Sequence, residues 1–215
     1  CMGTKIVYEG GEGELIEKKS RFIATVKPVD TEEEALEFIA ELKKKYWNAT
    51  HNCFAFVIGE RQEIQRCSDD GEPQGTAGRP MLDVLLGEEI HNVAVVVTRY
   101  FGGTLLGTGG LVRAYSRSVQ EGLKQSTVIE KIKGSRITIQ TDYNGVGKLQ
   151  YLLGQRGIQI VDSEYTDMVK LQVLVQEEEV TELKEAVTEA TSGKAGWEEE
   201  KEISFAFIEK EPVIF

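Results

Sequence analysis

The residues best suited to chemistry fall in three short segments. One is Arg99-Tyr100-Phe101-Gly102-Gly103-Thr104-Leu105-Leu106-Gly107-Thr108-Gly109-Gly110, where five glycines occupy nine positions. Glycine loses more conformational freedom on folding than any other residue, so this density needs a backbone reason. One reason is close approach of a phosphate to main-chain N–H groups at a helix N-terminus. The other is a turn that packs a helix against a sheet. Arg99 precedes the loop, and Arg113 and Arg117 follow it at i and i+4, on one helical face. No standard nucleotide fingerprint fits. A G-x-G-x-x-G reading from Gly107 and Gly109 meets Val112 at its third glycine, and the P-loop spacing from Gly102 to Gly107 is followed by Thr108-Gly109. Nucleotide hydrolysis is not indicated.

The second segment is Ser68-Asp69-Asp70-Gly71-Glu72-Pro73-Gln74-Gly75-Thr76-Ala77-Gly78-Arg79-Pro80. Its carboxylates suit a hard cation, acid–base work, or capping of backbone N–H groups in a turn. The EF-hand pattern fails, because Gly71 comes too early and no Glu stands at the twelfth position. With its backbone held by glycines and prolines, the segment reads as a rigid binding loop. The third segment is Thr50-His51-Asn52-Cys53. A His beside a Cys invites a nucleophile–base pair, but Cys53 alternates with Ala55 and Val57 and reads as a small core residue. His51, Cys53, Cys67 and His91 match no zinc spacing, so no metal or cofactor is expected. His51 and Asn52, polar at the mouth of a strand, are binding-site candidates.

These segments need elements to hold them. Glu14–Glu17 and Arg21–Val26 read as two short strands around Lys18-Lys19-Ser20. Thr31 with Glu34 is a capping box, and Leu36, Ile39, Leu42 and Tyr46 recur at helical spacing over about 31–46. Cys53–Ile58 and Glu63–Cys67 form a hairpin, and Thr76–Leu86 a short helix with Pro80 in its first turn. Val93–Thr98 is apolar without a break, as in a central strand covered on both faces. A helix follows over about 111–125. From residue 134 the order becomes strand (136–141), helix (145–155), strands (158–165 and 168–175), helix (177–191) and strand (203–208). That order is the ferredoxin-like βαββαβ pattern. The expected division is 1–133 and 134–215, with a linker near 128–134.

The 215 residues carry a net charge of −11, with 40% hydrophobic and 28% charged residues. This is a globular mix, with no apolar stretch long enough to span a bilayer. Residues 1–133 hold 17 basic and 20 acidic residues, and 134–215 hold 8 and 16. Bulk positive charge for wrapping nucleic acid is lacking, so any anion site must be local and in the first part. Cys1 ahead of Met2 is given no function. The start shows no apolar signal core, and Cys53 and Cys67 are too few for a disulfide framework, so a cytoplasmic location is expected.

Taken together, Ala49-Thr50-His51-Asn52-Cys53-Phe54-Ala55-Phe56, the stretch from Asp69 to Met81 and the stretch from Val97 to Tyr115 resemble the IMPACT (YigZ-like) family. Ser20-Arg21-Phe22-Ile23 also fits. The resemblance implies an α+β chain. Its N-terminal domain would share the fold of a ribosomal small-subunit protein domain and of domain IV of elongation factor G, with a left-handed βαβ crossover. Its ferredoxin-like C-terminal domain would resemble domain V of that factor, in the bacterial two-domain layout. Eukaryotic relatives regulate translation during amino-acid starvation by competing for an activator of a stress kinase, and carry an extra N-terminal domain. The implied function is a non-enzymatic, translation-related binding protein for RNA, the ribosome or a translation factor. The other reading is an enzyme acting on a small phosphorylated or anionic ligand. Both place the ligand in one cleft, drawn from His51, Asn52, Asp69, Asp70, Glu72, Thr76, Arg79, Arg99, Tyr100, Gly102, Gly103, Gly107, Thr108, Gly109, Gly110 and Arg113. Arg99→Ala and Arg113→Ala should each weaken anion binding, with little loss of stability if both side chains are exposed.

Overall fold

In the computed structural model, which describes residues 4–215, the chain forms two units, Thr4–Glu130 and Lys131–Phe215. The first begins with strand β1 (Thr4–Glu9) and a hairpin of β2 (Glu12–Glu17) and β3 (Ser20–Pro28). Helix α1 (Glu32–Lys45) starts at Thr31, whose hydroxyl accepts from the Glu34 N–H at 3.1 Å. The Glu34 carboxylate accepts from the Asp30 N–H, one residue before the position a capping box would use. The buried stripe of α1 is Ala35, Phe38, Ile39 and Leu42. Leu36, expected on that face, is half exposed, because a helix turns about 100° per residue and the stripe centres on Phe38 and Ile39.

Strands β4 (His51–Ile58) and β5 (Ile64–Ser68) form the second hairpin, followed by α2 (Gly78–Gly87). Pro80 sits in the first turn of α2, where a missing N–H costs no intrahelical bond. A two-residue β6 (Ile90–His91), the central β7 (Val93–Tyr100) and α3 (Gly107–Lys124) complete the unit. Five strands pair in the order β2-β3-β7-β4-β5, all antiparallel. Both β3 and β4 run against β7, so they are parallel to each other and α1 forms the crossover between them. Alternation on β7 then divides its apolar run. Val93, Val95 and Val97 join the core beneath α2 and α3, while Ala94 and Val96 join the core beneath α1. The unbroken valine run thus belongs to a strand covered on both faces.

Strand β8 (Thr127–Thr141) corrects the expected linker: residues 128–134 are the interior of a 15-residue strand. A Cβ on Gly134 would stand 2.1 Å from the Val175 carbonyl oxygen. This glycine marks close backbone approach within the sheet. The second unit continues with α4 (Val146–Gln155), β9 (Ile160–Tyr165), β10 (Val169–Gln176), α5 (Val180–Ala190), β11 (Gly196–Ile208) and β12 (Glu211–Ile214). Its strand order is β9-β10-β8-β11-β12, each neighbour antiparallel. Strand β10 lies between β8 and β9, and Ile137, Ile139, Leu171 and Val173 meet Leu149, Leu153, Leu183 and Val187 of the helices. Strands β1, β6 and β12 were not anticipated. Strand β6 is too short to show alternation, and β1 pairs with it in parallel across some 80 positions of chain.

Candidate functional site

The site is assembled across three strands. Arg99 on β7 is opposite Phe22 on β3 and opposite His51 on β4, so the three side chains rise from one face of the sheet in a row. The loop from β5 to α2 lays Glu72 over this row. Arg99 Nη1 donates to both Glu72 carboxylate oxygens, at 2.9 and 2.8 Å. His51 Nε2 stands 3.1 Å from Oε1. From α3, the Tyr115 hydroxyl donates to Oε2 at 2.5 Å. Glu72 and Arg99 are buried, and the guanidinium also packs 5.5 Å from the centroids of the Phe22 and Phe101 rings. Its Nη2 donates to Ser20 Oγ, and its Nε is buried without a partner.

The other acidic residues of the loop hold it together. Asp69 accepts from the N–H groups of Gly75, Ala77 and Gly78, so it caps the start of α2. Burial works to raise its carboxyl, but these three donors outweigh that and hold it below the usual Asp range. Asp70 accepts from the Asn52 N–H at 2.7 Å, and its carbonyl meets His51 Nδ1 at 2.8 Å. Thr76 is buried and donates to the Pro73 carbonyl. The Asn52 amide bridges the Tyr46 carbonyl and the Thr98 hydroxyl. Asn52, Asp69, Asp70 and Thr76 therefore shape the site from behind.

Above this floor opens a pocket of about 380 Å³, with His51, Glu72 and Arg99 at its base and Phe101, Leu105 and Thr108 among its walls. The start of α3 borders it. The cap residue, Leu106, offers no side-chain acceptor, so the first N–H groups of α3 are uncapped at this edge. The helix begins at Gly107, four residues earlier than expected, so Gly107, Thr108, Gly109 and Gly110 form its first turn and Arg113 lies in its second. Gly103 and Gly107 take φ of 89° and 74°, conformations that glycine adopts without strain. Gly102 makes room for a neighbour: a Cβ there would stand 2.1 Å from the Lys19 carbonyl. Each of these three glycines has an architectural reason.

Several candidates lie elsewhere. Arg79 is exposed and pairs with Asp83 at 2.9 Å along α2. Tyr100 points to the opposite face of β7 from Arg99 and donates to Asn48 Oδ1. Arg113 lines a separate small cavity with Arg117. Arg99 is inside the site, but its charge is already met by Glu72. Arg99 is buried, so the condition under which Arg99→Ala was expected to leave stability little changed, an exposed side chain, is not met. Tyr115, on the buried face of α3 with Leu111 and Val119, is a site residue that the sequence analysis did not single out. The signal was there: a hydroxyl on an otherwise aliphatic stripe must find a partner when buried.

The thiol and the phenol at the floor are poorly set for nucleophilic work. Burial pushes the Cys53 thiol and the Tyr115 phenol well above their usual ranges, and the nearby Glu72 carboxylate raises both further. Both His51 ring nitrogens face protein acceptors. Among the described residues no group of three or more His, Cys, Asp or Glu side chains is placed to hold a metal ion, and no helix is long and apolar enough to cross a membrane.

Comparison with known proteins matches both units. The family model for the "Impact N-terminal domain" matches residues 18–123, and that for a "Domain of unknown function (DUF1949)" matches residues 139–194. The chain is 45% identical over 204 residues to "IMPACT family member YvyE" of Bacillus subtilis (strain 168), covering 95% of this chain and 93% of that protein. It is 39% identical over 178 residues to "IMPACT family member YigZ" of Escherichia coli (strain K12), covering 82% and 87%. A solved structure titled "Crystal structure of an hypothetical protein" superposes with a TM-score of 0.58 at 35% identity, covering 92% of this chain and 97% of that one.

Proposed function

Because the chain belongs to the IMPACT family, we propose that it is a translation-associated binding protein whose N-terminal unit offers the pocket over His51, Glu72 and Arg99 to a ribosomal or translation-factor partner. The observation that carries this reading is the charged floor beneath an apolar rim. A buried ion pair is often no more stable than well-packed apolar residues of similar volume, so a purely structural role explains its position poorly. The floor lies at the base of an opening, and Phe101 and Leu105 stand exposed beside it. Large apolar groups around a few fixed polar ones are the usual make-up of a recognition pocket. The uncapped start of α3 favours a partner group that carries negative charge, such as an acidic side chain. Catalysis on a small anionic ligand has less support, since the thiol and phenol are held protonated and both imidazole nitrogens are engaged.

The test is co-sedimentation of the full chain with purified ribosomes and, separately, with translation factors. Phe101→Ser/Leu105→Ser should reduce co-sedimentation at least tenfold; because the Phe101 ring also packs on Arg99, Leu105→Ser alone is the control that should weaken binding at an unchanged melting temperature. Undiminished co-sedimentation of the double variant overturns the pocket reading.

A further inference from the structure

The β2–β3 turn is unusual in composition. Lys18 and Lys19 both take left-handed conformations, with φ of 44° and 68°. Two-residue hairpin turns of this geometry favour Asn-Gly, and lysine adopts it at a cost. The tip is also clamped. Lys19 packs so closely on Gly102 that no side chain fits between them, and the buried Ser20 hydroxyl accepts from the Gly102 N–H at 3.3 Å. The turn is thereby held against the loop that leads into α3.

Helix α3 presents Arg113 and Arg117 beside this tip, one turn apart and exposed. They line a cavity of about 110 Å³ with Lys18, Glu17 and Leu106. Glu17 lies 3.7 Å from Arg117. Lys18, Lys19 and Arg113 have no carboxylate partner among the described residues. Leu106 also lines the pocket described above, so the two openings flank the start of α3. Three cations and one carboxylate thus line this cavity, with Lys19 next to Lys18 on the turn, in a chain whose net charge is −11.

We propose that Lys18, Lys19, Arg113 and Arg117 form a contact surface for the phosphodiester backbone of RNA, distinct from the pocket over Glu72. Phosphate contact needs positioned cations and little else, whereas a protein-binding surface centres on apolar or aromatic anchors. The apolar residues of this cavity, Leu106 and Ala114, are buried, and Ile16 alternates to the other face of β2. The acidic remainder of the chain repels a polyanion, which confines contact to this patch and makes it weak and steeply salt-dependent. The choice of RNA among polyanions rests on the translation-associated reading; the cation cluster does not.

The experiment is fluorescence anisotropy of the full chain with a labelled single-stranded oligouridylate at several salt concentrations. Four phosphate contacts on a single strand give a slope of log affinity against log salt of about −2.8, roughly a 50-fold loss for a fourfold rise in salt. Lys18→Asn/Lys19→Gly removes two charges while installing the residues this turn prefers, so its melting temperature should hold or rise. Its slope should fall to about −1.4. Arg113→Gln/Arg117→Gln should do the same from the helix side. Phe101→Ser/Leu105→Ser should keep the full slope even where it abolishes ribosome co-sedimentation, so failure of the pocket reading and failure of this one are separable. Unchanged slopes in both charge variants overturn the proposal. So does binding of a polyglutamate peptide as tightly as the RNA with the same sensitivity to the variants, which would assign the patch to an acidic protein.

Discussion

Glu72 is the most heavily used side chain of the site. It takes hydrogen bonds from Arg99 and Tyr115 and stands against His51, all in a buried position. Removing one partner of such a cluster leaves charge buried without compensation, at a cost of about 3–5 kcal/mol. Glu72→Ala should therefore lower unfolding free energy by about that much in urea titration, with Glu72→Gln intermediate because an acceptor for Tyr115 survives. Arg99→Ala should cost as much as Glu72→Ala, and the two together less than their sum, since each single change strands the other charge. A second residue-scale outcome concerns the thiols. Cys53 is buried, and burial pushes its thiol well up, whereas Cys67 is exposed and only modestly desolvated. Peptide mass spectrometry after alkylation at mild alkaline pH should find Cys67 modified and Cys53 intact in the native chain, and both modified after unfolding. Alkylation of native Cys53 at the rate of Cys67 would show the floor of the site to be open.

At the scale of elements, α2 depends on a residue nine positions before it. Asp69 caps its start from the end of β5, and the capping N–H groups hold its carboxyl low. A carboxyl depressed in the folded state stabilises above its unfolded range, and that contribution is lost as pH falls through the folded one. Asp69→Ala should thus cost about 1 kcal/mol near neutral pH, and the difference from the parent chain should shrink as pH approaches 3. A difference that stays constant with pH would mean that the capping oxygen, not its charge, is what counts. Helix α3 is seated by small residues. A Cβ on Gly13 would stand 2.6 Å from the backbone of Glu121 and Gly122, so β2 and α3 meet without an intervening side chain. Gly13→Ala should destabilise by at least about 1–3 kcal/mol, even though alanine is the better strand and helix former, because backbone must move to admit it. The same juxtaposition brings the lysine turn beside the arginines of α3.

At the scale of the molecule, each unit has its own buried cores. Those of Thr4–Glu130 lie on the two faces of the five-stranded sheet, and that of Lys131–Phe215 lies under α4 and α5. A fragment of residues 1–133 should unfold in one cooperative thermal transition. A broad, non-cooperative melt from that fragment would mean that its core needs the remainder of β8. Excess acid is shared almost evenly between the units, with 15 basic and 20 acidic residues in 1–130 and 10 and 16 in 131–215. Polyanion contact on either unit is therefore confined to a local cluster of cations.

The order of the longer elements was legible from residue patterns alone, because burial enforces periodicity, whereas the short strands β1, β6 and β12 and the length of β8 were not. The valines of β7 and the strand–helix rhythm after residue 134 follow from which side chains must leave water, and the start of α1 follows from the Thr31 hydroxyl that caps it. The three chemistry-bearing segments were legible as well, through glycines, carboxylates and arginines dense enough to need a reason. What they do together was decided only in three dimensions. Strand register sets Arg99 between Phe22 and His51, and a loop from elsewhere brings the carboxylate that neutralises it. Tyr115 donates from the buried face of α3 to Glu72, and Arg113 turns away to line a cavity with Lys18, 95 positions earlier. Periodicity reports burial along one element, whereas charge pairing depends on contacts between elements distant in sequence, and those exist only once the sheet and its helices have packed.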